Sequence, residues 1–385
     1  TVFPYQAATA GQRDLFYCVV NSSGDLTFSS YLGGTGNDYN GCVALAPGGA
    51  FYLAGHTYSS DYPTINAYQA AKTGAYDFVL TRFSSLTAAA PDFSSYLGGT
   101  NNDSYPALCV FGEDAILGGM TSSVDFPTTP AAFQPGYAGS NDAVLARFDS
   151  SGSLLMSTFA GGTGTEMWID VGASDSEFAV SGGTASRDFP TVDPYQAERK
   201  GLTPVSYDNF LAIFNTETCV FSSYLGGTSD DYAGALWFTG TAILLSGHTS
   251  STNYPTVDPF QADHAPGTYD AFVSRFDSER DLIFSSYLGG SGNEEQVYGV
   301  GMLTDKLCLA GWTSSTDFPT VNPSQATLAG GRDVFLSILR QLTPTPVGYK
   351  TPTPAPTATP SPVPTQWLDC TAPETLSCPI SYSGT

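Results

Sequence analysis

An acidic residue follows the string YLGG, or its variant FAGG, in every copy of a repeated unit: Asp38, Asp103, Glu166, Asp231 and Glu294. Carboxylates along one rim could bind Ca²⁺, which takes about six to eight oxygen ligands. In glycine-rich turns, acidic side chains also accept hydrogen bonds from backbone N–H groups. A catalytic site is normally unique to one place, whereas these acids occur in every copy. The pattern therefore favours turn-forming residues, with Ca²⁺ as the alternative cofactor.

The sequence offers no recognisable catalytic motif. The three histidines, His56, His248 and His264, lack the spacing of metal ligands. Phosphate loops, dinucleotide fingerprints and G-x-S-x-G elbows are also missing. A glycosidase needs two placed carboxylates, and the sequence does not single out a pair among its 36 acidic residues. We therefore predict no catalytic residues and a protein that is not an enzyme.

One unit departs from the others. It carries MSTFAGG at 156–162, followed by Glu166-Met167-Trp168, and an enlarged loop over Glu198–Tyr207. In a ring of similar blades, an asymmetric binding site would lie at the odd blade. Drift in a surface loop is the alternative explanation.

The repeat itself predicts the fold. FSSYLGG occurs at 28–34, 93–99, 221–227 and 284–290, so that with MSTFAGG the spacings are 65, 63, 65 and 63 residues. Each unit contains four short apolar runs separated by turns, without helical periodicity. A lone blade cannot bury both of its faces, so neighbouring blades must stack. We predict an all-β protein, a β-propeller of four-stranded antiparallel blades.

The blade number is open between five and six. Four complete sets of strands run from about Gly41 to Gly290. The C-terminal end adds three strands, the last at Asp333–Leu339, and the N-terminal end adds two, between Asp14 and Gly34. A five-bladed ring closed by both termini uses all but one strand, and we expect this arrangement. A sixth, partial blade is the alternative.

These strings resemble the SBBP β-propeller repeat family of secreted and surface proteins of bacteria and archaea. The resemblance covers residues 1 to about 340. It includes the YLGG string, the acidic turn, the A-G-x-T-S-S strand end, the F-P-T loop and the D-A-F-V strand. It implies a propeller and an extracellular location, but it does not imply one function, because propellers have many.

The net charge of the chain limits the classes of partner that it can bind. The net charge is −23, with 36 acidic and 13 basic residues, so we expect no binding to nucleic acid or to an anionic membrane surface. No apolar run approaches the ~20 residues of a membrane helix, and we expect no membrane insertion. No signal peptide is present, and we expect a processed mature chain, or one cut inside a repeat, located outside the cell or on its surface.

The composition changes after the propeller, which we place at residues 1–342. Residues 343–365 form a Thr/Pro tract that predicts an extended polyproline-type linker. Residues 366–385 form a short tail in which we predict a disulfide between Cys370 and Cys378. The apolar residues predicted to take part in assembly are Trp367, Leu376, Ile380 and Tyr382.

We predict a non-enzymatic structural protein for three reasons. The sequence has no catalytic motif, the five-bladed ring leaves one strand unused, and the propeller is followed by this tail. Its propellers would assemble into a surface polymer, or a smaller homo-oligomer, with the tail of one subunit contacting a neighbour. A secreted module that binds glycans or surface proteins is one alternative. A propeller hydrolase or lyase is the other.

Overall fold

The structure is a computed structural model that describes residues 2–340 except 217, 241, 304 and 305. All of its regular elements are β-strands, arranged in six sheets. The first sheet pairs β1 (Leu15–Val20) with β2 (Leu26–Leu32). The last sheet has three strands, β19 (Glu294–Leu303), β20 (Lys306–Thr313) and β21 (Asp333–Arg340). Four complete sheets lie between them in the chain.

Each complete sheet has four antiparallel strands in chain order. Blade one consists of β3 (Asp38–Leu45), β4 (Phe51–Thr57), β5 (Asp77–Phe83) and β6 (Phe93–Leu97). Blade two consists of β7 (Asp103–Phe111), β8 (Asp114–Thr121), β9 (Asp142–Phe148) and β10 (Leu154–Ala160). Blade three consists of β11 (Glu166–Ala173), β12 (Phe178–Thr184), β13 (Asp208–Asn215) and β14 (Thr218–Leu225). Blade four consists of β15 (Asp231–Thr239), β16 (Ala242–Thr249), β17 (Asp270–Phe276) and β18 (Leu282–Leu288). We call the three-stranded sheet blade five.

The third strand of a blade is apolar along its length because both of its faces are covered. In β5, Phe78 and Leu80 pack in one hydrophobic cluster with residues of blade two. Their neighbour Val79 points the other way, into a cluster that contains Leu15 and Tyr17 of β1. Side chains alternate between the two faces of a strand, so each blade contributes to a core on either side. The cores therefore lie between blades rather than within them.

The first strands of successive blades contact one another in the order β3, β7, β11, β15 and β19. They are the inner strands, and the fourth strands lie at the outer edge of each sheet. This arrangement confirms the predicted all-β propeller of four-stranded antiparallel blades. Among the described residues, no helix is long and apolar enough to cross a membrane.

The blade that was expected to combine both termini is not formed, and the number of sheets follows the alternative count of six. One edge of β2 pairs with β1, with Leu32 opposite Leu15. Its other edge is bridged by Val2 and Gln6. Both edges of β2 are thus occupied, and β21 keeps an edge without a strand partner among the described residues.

Several predictions concern residues beyond Arg340, which lie outside the described part of the chain. They are the linker 343–365, the disulfide between Cys370 and Cys378, and the assembly residues Trp367, Leu376, Ile380 and Tyr382.

Candidate functional site

The acidic residue after each glycine pair is buried and hydrogen-bonded within the fold. Asp103 is fully buried. Its carboxylate accepts hydrogen bonds from the Thr121 hydroxyl, from the Gly99 amide at 2.9 Å and from the Ser123 hydroxyl at 3.2 Å. Asp38, Glu166, Asp231 and Glu294 have the same three kinds of donor. These contacts agree with the turn-forming role that the repeat pattern favours.

A second carboxylate lies across the first glycine of the pair. A Cβ atom on Gly98 would be 2.5 Å from Asp103 Oδ2 and 2.6 Å from Asp77 Cγ. Asp77 begins the third strand of blade one, whereas Asp103 begins the first strand of blade two. Only glycine therefore fits between the two acids. The same arrangement gives the pairs Asp14–Asp38, Asp142–Glu166, Asp208–Asp231 and Asp270–Glu294.

Burial makes ionisation of these acids costly. It raises the pKa of Asp103 to about 7 and that of Glu166 to about 8, and the facing aspartates, Asp77 and Asp142, raise both further. Hydroxyl donors oppose the shift without cancelling it. The described residues contain no group of three His, Cys, Asp or Glu side chains that could hold a metal ion. Calcium at these acids stays an untested prediction.

The inner strands carry an irregularity near their beginning. The register shifts by β-bulges after Tyr39, Ser104, Met167 and Glu295. The next residue adopts a positive φ, 53° for Asn40, 56° for Tyr105, 53° for Trp168 and 50° for Gln296. Non-glycine residues rarely adopt this conformation, and bulges of this kind often redirect side chains beside functional sites. We call the end of the propeller where these bulges lie the bulged face.

Aromatic rings form a first cluster on the bulged face of blade one, cluster I. It consists of Tyr39, His56, Tyr58, Tyr76 and Tyr105. Tyr39 stacks on His56 with 5.5 Å between ring centroids, and Tyr58 lies 4.8 Å from Tyr76. The ring of Tyr105, from blade two, is 6.0 Å from His56, and its side chain is 49% exposed. Cluster I thus joins two blades and presents rings to solvent.

Cluster II is the corresponding group on blades three and four. It consists of Trp168, Tyr207, Tyr232, His248 and Tyr269. Trp168 meets Tyr232 edge to face at 4.7 Å and Tyr207 at 5.4 Å. His248 lies 4.9 Å from Tyr232, and burial lowers its pKa to about 4, so its imidazole is neutral at pH 7. Trp168 is 39% exposed, and it is therefore held by rings on one side and open on the other.

Two carboxylates beside cluster II break the repeat. Asp230 occupies a position held elsewhere by Asn37, Asn102, Thr165 and Asn293, and Glu295 one held by Tyr39, Ser104, Met167 and Tyr232. Burial raises the pKa of Tyr269, and the charges of Asp230 and Glu295 raise it further. Both acids therefore lie close enough to act on the same ring. Each is partly accessible to solvent.

Sequence reasoning located this face only in part. It singled out Trp168, and of His56 and His248 it established only that they lack the spacing of metal ligands. The tyrosines before the third strands, Tyr76, Tyr207 and Tyr269, were missed. Their signal is an aromatic residue one position before the strand-opening aspartate in three of the units. The enlarged loop is held internally, since buried Arg199 donates to the carbonyls of Thr203 and Ser206.

Comparisons with known proteins show the fold alone. No family model and no curated protein matches the sequence, so the SBBP resemblance stays a prediction. The α-L-arabinofuranosidase Arb93A of Fusarium graminearum is 10% identical with a TM-score of 0.43, covering 86% of this chain and 93% of that one. A GH43_1 enzyme of Xanthomonas citri is 11% identical with a TM-score of 0.35, covering 78% and 88%. Kuenenia stuttgartiensis hydrazine synthase is 9% identical with a TM-score of 0.43, covering 78% and 70%.

Two predictions are corrected by these comparisons. The chain was predicted to be a non-enzymatic structural subunit of a surface polymer, and not an enzyme. The similar structures are instead largely enzymes, glycosidases among them. The prediction had treated a missing local motif as missing catalysis, although glycosidases place their two carboxylates through the fold rather than through adjacent sequence. At about 10% identity, the likeness assigns no activity or substrate to this chain.

Proposed function

We propose that the bulged face binds a carbohydrate chain at clusters I and II, and that Asp230 and Glu295 hydrolyse it. The observation that carries the proposal is the position of the two acids that break the repeat beside cluster II. A binding or catalytic site is expected where a repeated architecture is locally unique. These acids are unique in that sense, whereas the buried acid pairs recur at every junction.

Cluster II suits a sugar ring because it combines an apolar surface with polar groups. Tyr and Trp supply large, rigid contact areas at a low cost in conformational entropy. The Trp168 ring is fixed from one side by Tyr207 and Tyr232, so little freedom is lost when a ligand covers its open side. Tyrosine hydroxyls and the two carboxylates offer hydrogen bonds to sugar hydroxyls. Ligand sites commonly have this mixture of aromatic walls and a few polar groups.

The two carboxylates supply the chemistry of glycoside hydrolysis. One carboxyl group protonates the leaving oxygen, and the other attacks the sugar or activates a water molecule. Asp230 Oδ1 accepts a hydrogen bond from the Tyr207 amide at 3.1 Å. Glu295 Oε1 accepts one from Asn293 Nδ2 at 3.2 Å. Both side chains are therefore oriented by neighbours before any substrate binds. An extracellular location suits such an activity and stays part of the proposal.

Glycan-array binding and release of reducing sugars from the bound glycans test the proposal. Trp168→Ala should weaken binding about tenfold or more, as for a central aromatic anchor. Asp230→Asn and Glu295→Gln should abolish release while the glycan still binds. Tyr195→Ala is the matched aromatic control, because Tyr195 is 44% exposed but lies outside both clusters, against Phe276.

The outcomes separate binding from hydrolysis. Saturable binding that depends on Trp168 but not on Tyr195, without sugar release, would leave a glycan-binding module and refute the hydrolase. Binding unaffected by Trp168→Ala would refute the proposed face. Asp25→Asn provides an exposed acid control far along the chain from cluster II, and sugar release should be unchanged in it.

A further inference from the structure

Among the described residues, no fourth strand lies beside the third strand of blade five. The four complete blades each have a fourth strand, whereas the sheet of β19, β20 and β21 has three. A groove of about 670 Å³ lies between β21 and the loop 315–328. The side chains of Val334 and Leu336 line this groove and are exposed. Their counterparts in blade one, Phe78 and Leu80, are covered by blade two.

The complete blades show what this groove is shaped to hold. In blade one, β6 pairs with β5 along one edge. Along its other edge it is bridged by the preceding loop, Ser94 to Ile65 and Tyr96 to Gln69. The Ser94 hydroxyl also donates to the Pro63 carbonyl at 2.6 Å. The occupant is thus an extended strand held by backbone hydrogen bonds on both sides.

A tyrosine anchors that strand in three of the four blades. The Tyr96 hydroxyl donates to the Ser59 carbonyl at 2.8 Å and accepts from the Tyr62 amide at 2.9 Å. Tyr224 and Tyr287 make the same two contacts. In blade five the corresponding residues are Ser315 and Phe318, and both line the groove.

A glutamine is already oriented toward the same occupant. In blade one, Gln69 Oε1 accepts a hydrogen bond from the Gly98 amide at 3.0 Å, at the end of the fourth strand. Its amide nitrogen is held by Ala71 O and Asp77 Oδ2. Gln325 of blade five has the equivalent contacts, to Thr327 O at 3.0 Å and Asp333 Oδ2 at 2.6 Å. Its Oε1 is therefore positioned for a glycine amide that no described residue supplies.

We propose that residues 380–385 of the same chain occupy this groove as a fourth strand antiparallel to β21. They read ISYSGT and lie outside the described residues. Tyr382 and Gly384 repeat the S-Y-x-G spacing of the fourth strand in three of the four complete blades, where the sequence is SYLGG. The Tyr382 side chain then reaches Ser315 and Phe318, and the Gly384 amide reaches Gln325.

Chain direction and length favour this segment. An antiparallel strand must begin beside the end of β21, which is Arg340. The chain leaves from that point, and residues 341–379 have only to return to it. The cost of closing such a loop grows slowly with its length. The intervening Thr/Pro tract cannot itself fill the groove, because proline has no N–H for the ladder.

The register of blade one fixes the expected neighbours. There Val79 pairs with Tyr96 and Leu80 with Ser95. Phe335 and Leu336 are the corresponding residues of β21. Tyr382 is therefore opposite Phe335, and Ser381 is opposite Leu336.

Cysteine cross-linking tests this register in the full chain. Leu336→Cys and Ser381→Cys are combined with Cys18→Ser, which removes an exposed native thiol, and the protein is oxidised at low concentration. We expect a disulfide within one chain, identified by peptide mapping. The control pair, Leu336→Cys with Thr357→Cys, places the second thiol in the Thr/Pro tract, 21 rather than 45 residues along the chain from position 336. Its shorter tether would favour random cross-linking. Equal yields in both pairs, or no link, would overturn the proposal. A link between two chains would identify a second copy as the occupant and overturn it as well.

Hydrogen exchange provides a measurement that needs no cysteine. Amides of β21 should exchange about tenfold more slowly in the full chain than in a chain that ends at Arg340. Tyr382→Ala should remove most of this protection and Tyr382→Phe less of it, because phenylalanine fills the same position in blade two, at Phe159. Identical exchange in the full and shortened chains would refute the docking of the tail.

Discussion

Replacing Glu166 with glutamine tests whether the buried acid pairs make the stability of the propeller depend on protons. Glu166 is fully buried between blades two and three. It accepts hydrogen bonds from the hydroxyls of Thr184 and Ser186, both at 2.6 Å, and from the Gly162 amide at 3.2 Å. Glutamine has the same shape and keeps an oxygen for the amide, but it cannot ionise. The substitution therefore isolates the effect of the charge.

The size of the change in unfolding free energy with pH follows from the pKa of Glu166, which burial raises from 4.5 to about 8. Between these values the folded chain keeps a proton that the unfolded chain releases. The stability from this group is therefore fully present below pH 4.5 and is lost as the pH rises through about 8. At ~1.4 kcal/mol per pKa unit, the loss amounts to roughly 5 kcal/mol. Glu166→Gln should be slightly less stable than the wild type at pH 4.5 and several kcal/mol more stable at pH 9.

Urea unfolding followed by tryptophan fluorescence at pH 4.5, 7 and 9 gives the free energies of unfolding. Glu198→Gln is the matched control, since Glu198 is exposed and should show the pH dependence of the wild type. If Glu166→Gln is destabilised by the same amount at every pH, or most strongly at pH 9, the reasoning is refuted. The hydroxyl and amide donors would then hold an ionised carboxylate at no net cost.

Further predictions concern the glycine corners and the tyrosine anchors. Gly98→Ala should lower the free energy of unfolding by about 3 kcal/mol or more, because its Cβ would collide with Asp103. Gly136→Ala, where a Cβ meets nothing within 4 Å, should be nearly neutral in the same urea titration. Tyr224→Phe should cost about 1–3 kcal/mol, because it leaves the buried Ser186 carbonyl and Phe189 amide without the hydroxyl; an unchanged midpoint would show that other groups replace it.

The fold was predictable from sequence because the signal is repeated. FSSYLGG and the strand-opening aspartates recur at nearly constant spacing, so one unit's turns and strands could be transferred to the next. The closing blade was not predictable in this way. The sequence shows whether a segment is the first, second, third or fourth strand of a blade. It does not show which of the repeated partner strands that segment pairs with. β1 and β2 are separated by five residues, 21–25, and so short a loop costs far less entropy to close than pairing across the whole chain.

The candidate site was less predictable because its residues do not share a type. The positive-φ residue of the bulge is at the same position in four blades, but its type differs each time: Asn40, Tyr105, Trp168 and Gln296. No sequence pattern therefore identifies this position. The position of Asp230 and Glu295 beside the same ring, Tyr269, is also not evident from the sequence, since it depends on the contact between blades four and five. By contrast, the glycine pair was visible as a turn, and only the structure revealed that it separates two carboxylates.

The placement of those carboxylates bears on how such a protein can grow by duplication. Each acid pair takes one member from the third strand of a blade and the other from the first strand of the next. A duplicated segment that starts anywhere in the repeat and spans one period restores a complete pair at both of its new boundaries. Copies can therefore be gained or lost without redesigning the contacts between blades. Selection then acts freely on the few positions, such as Trp168, Asp230 and Glu295, where one copy differs from the rest.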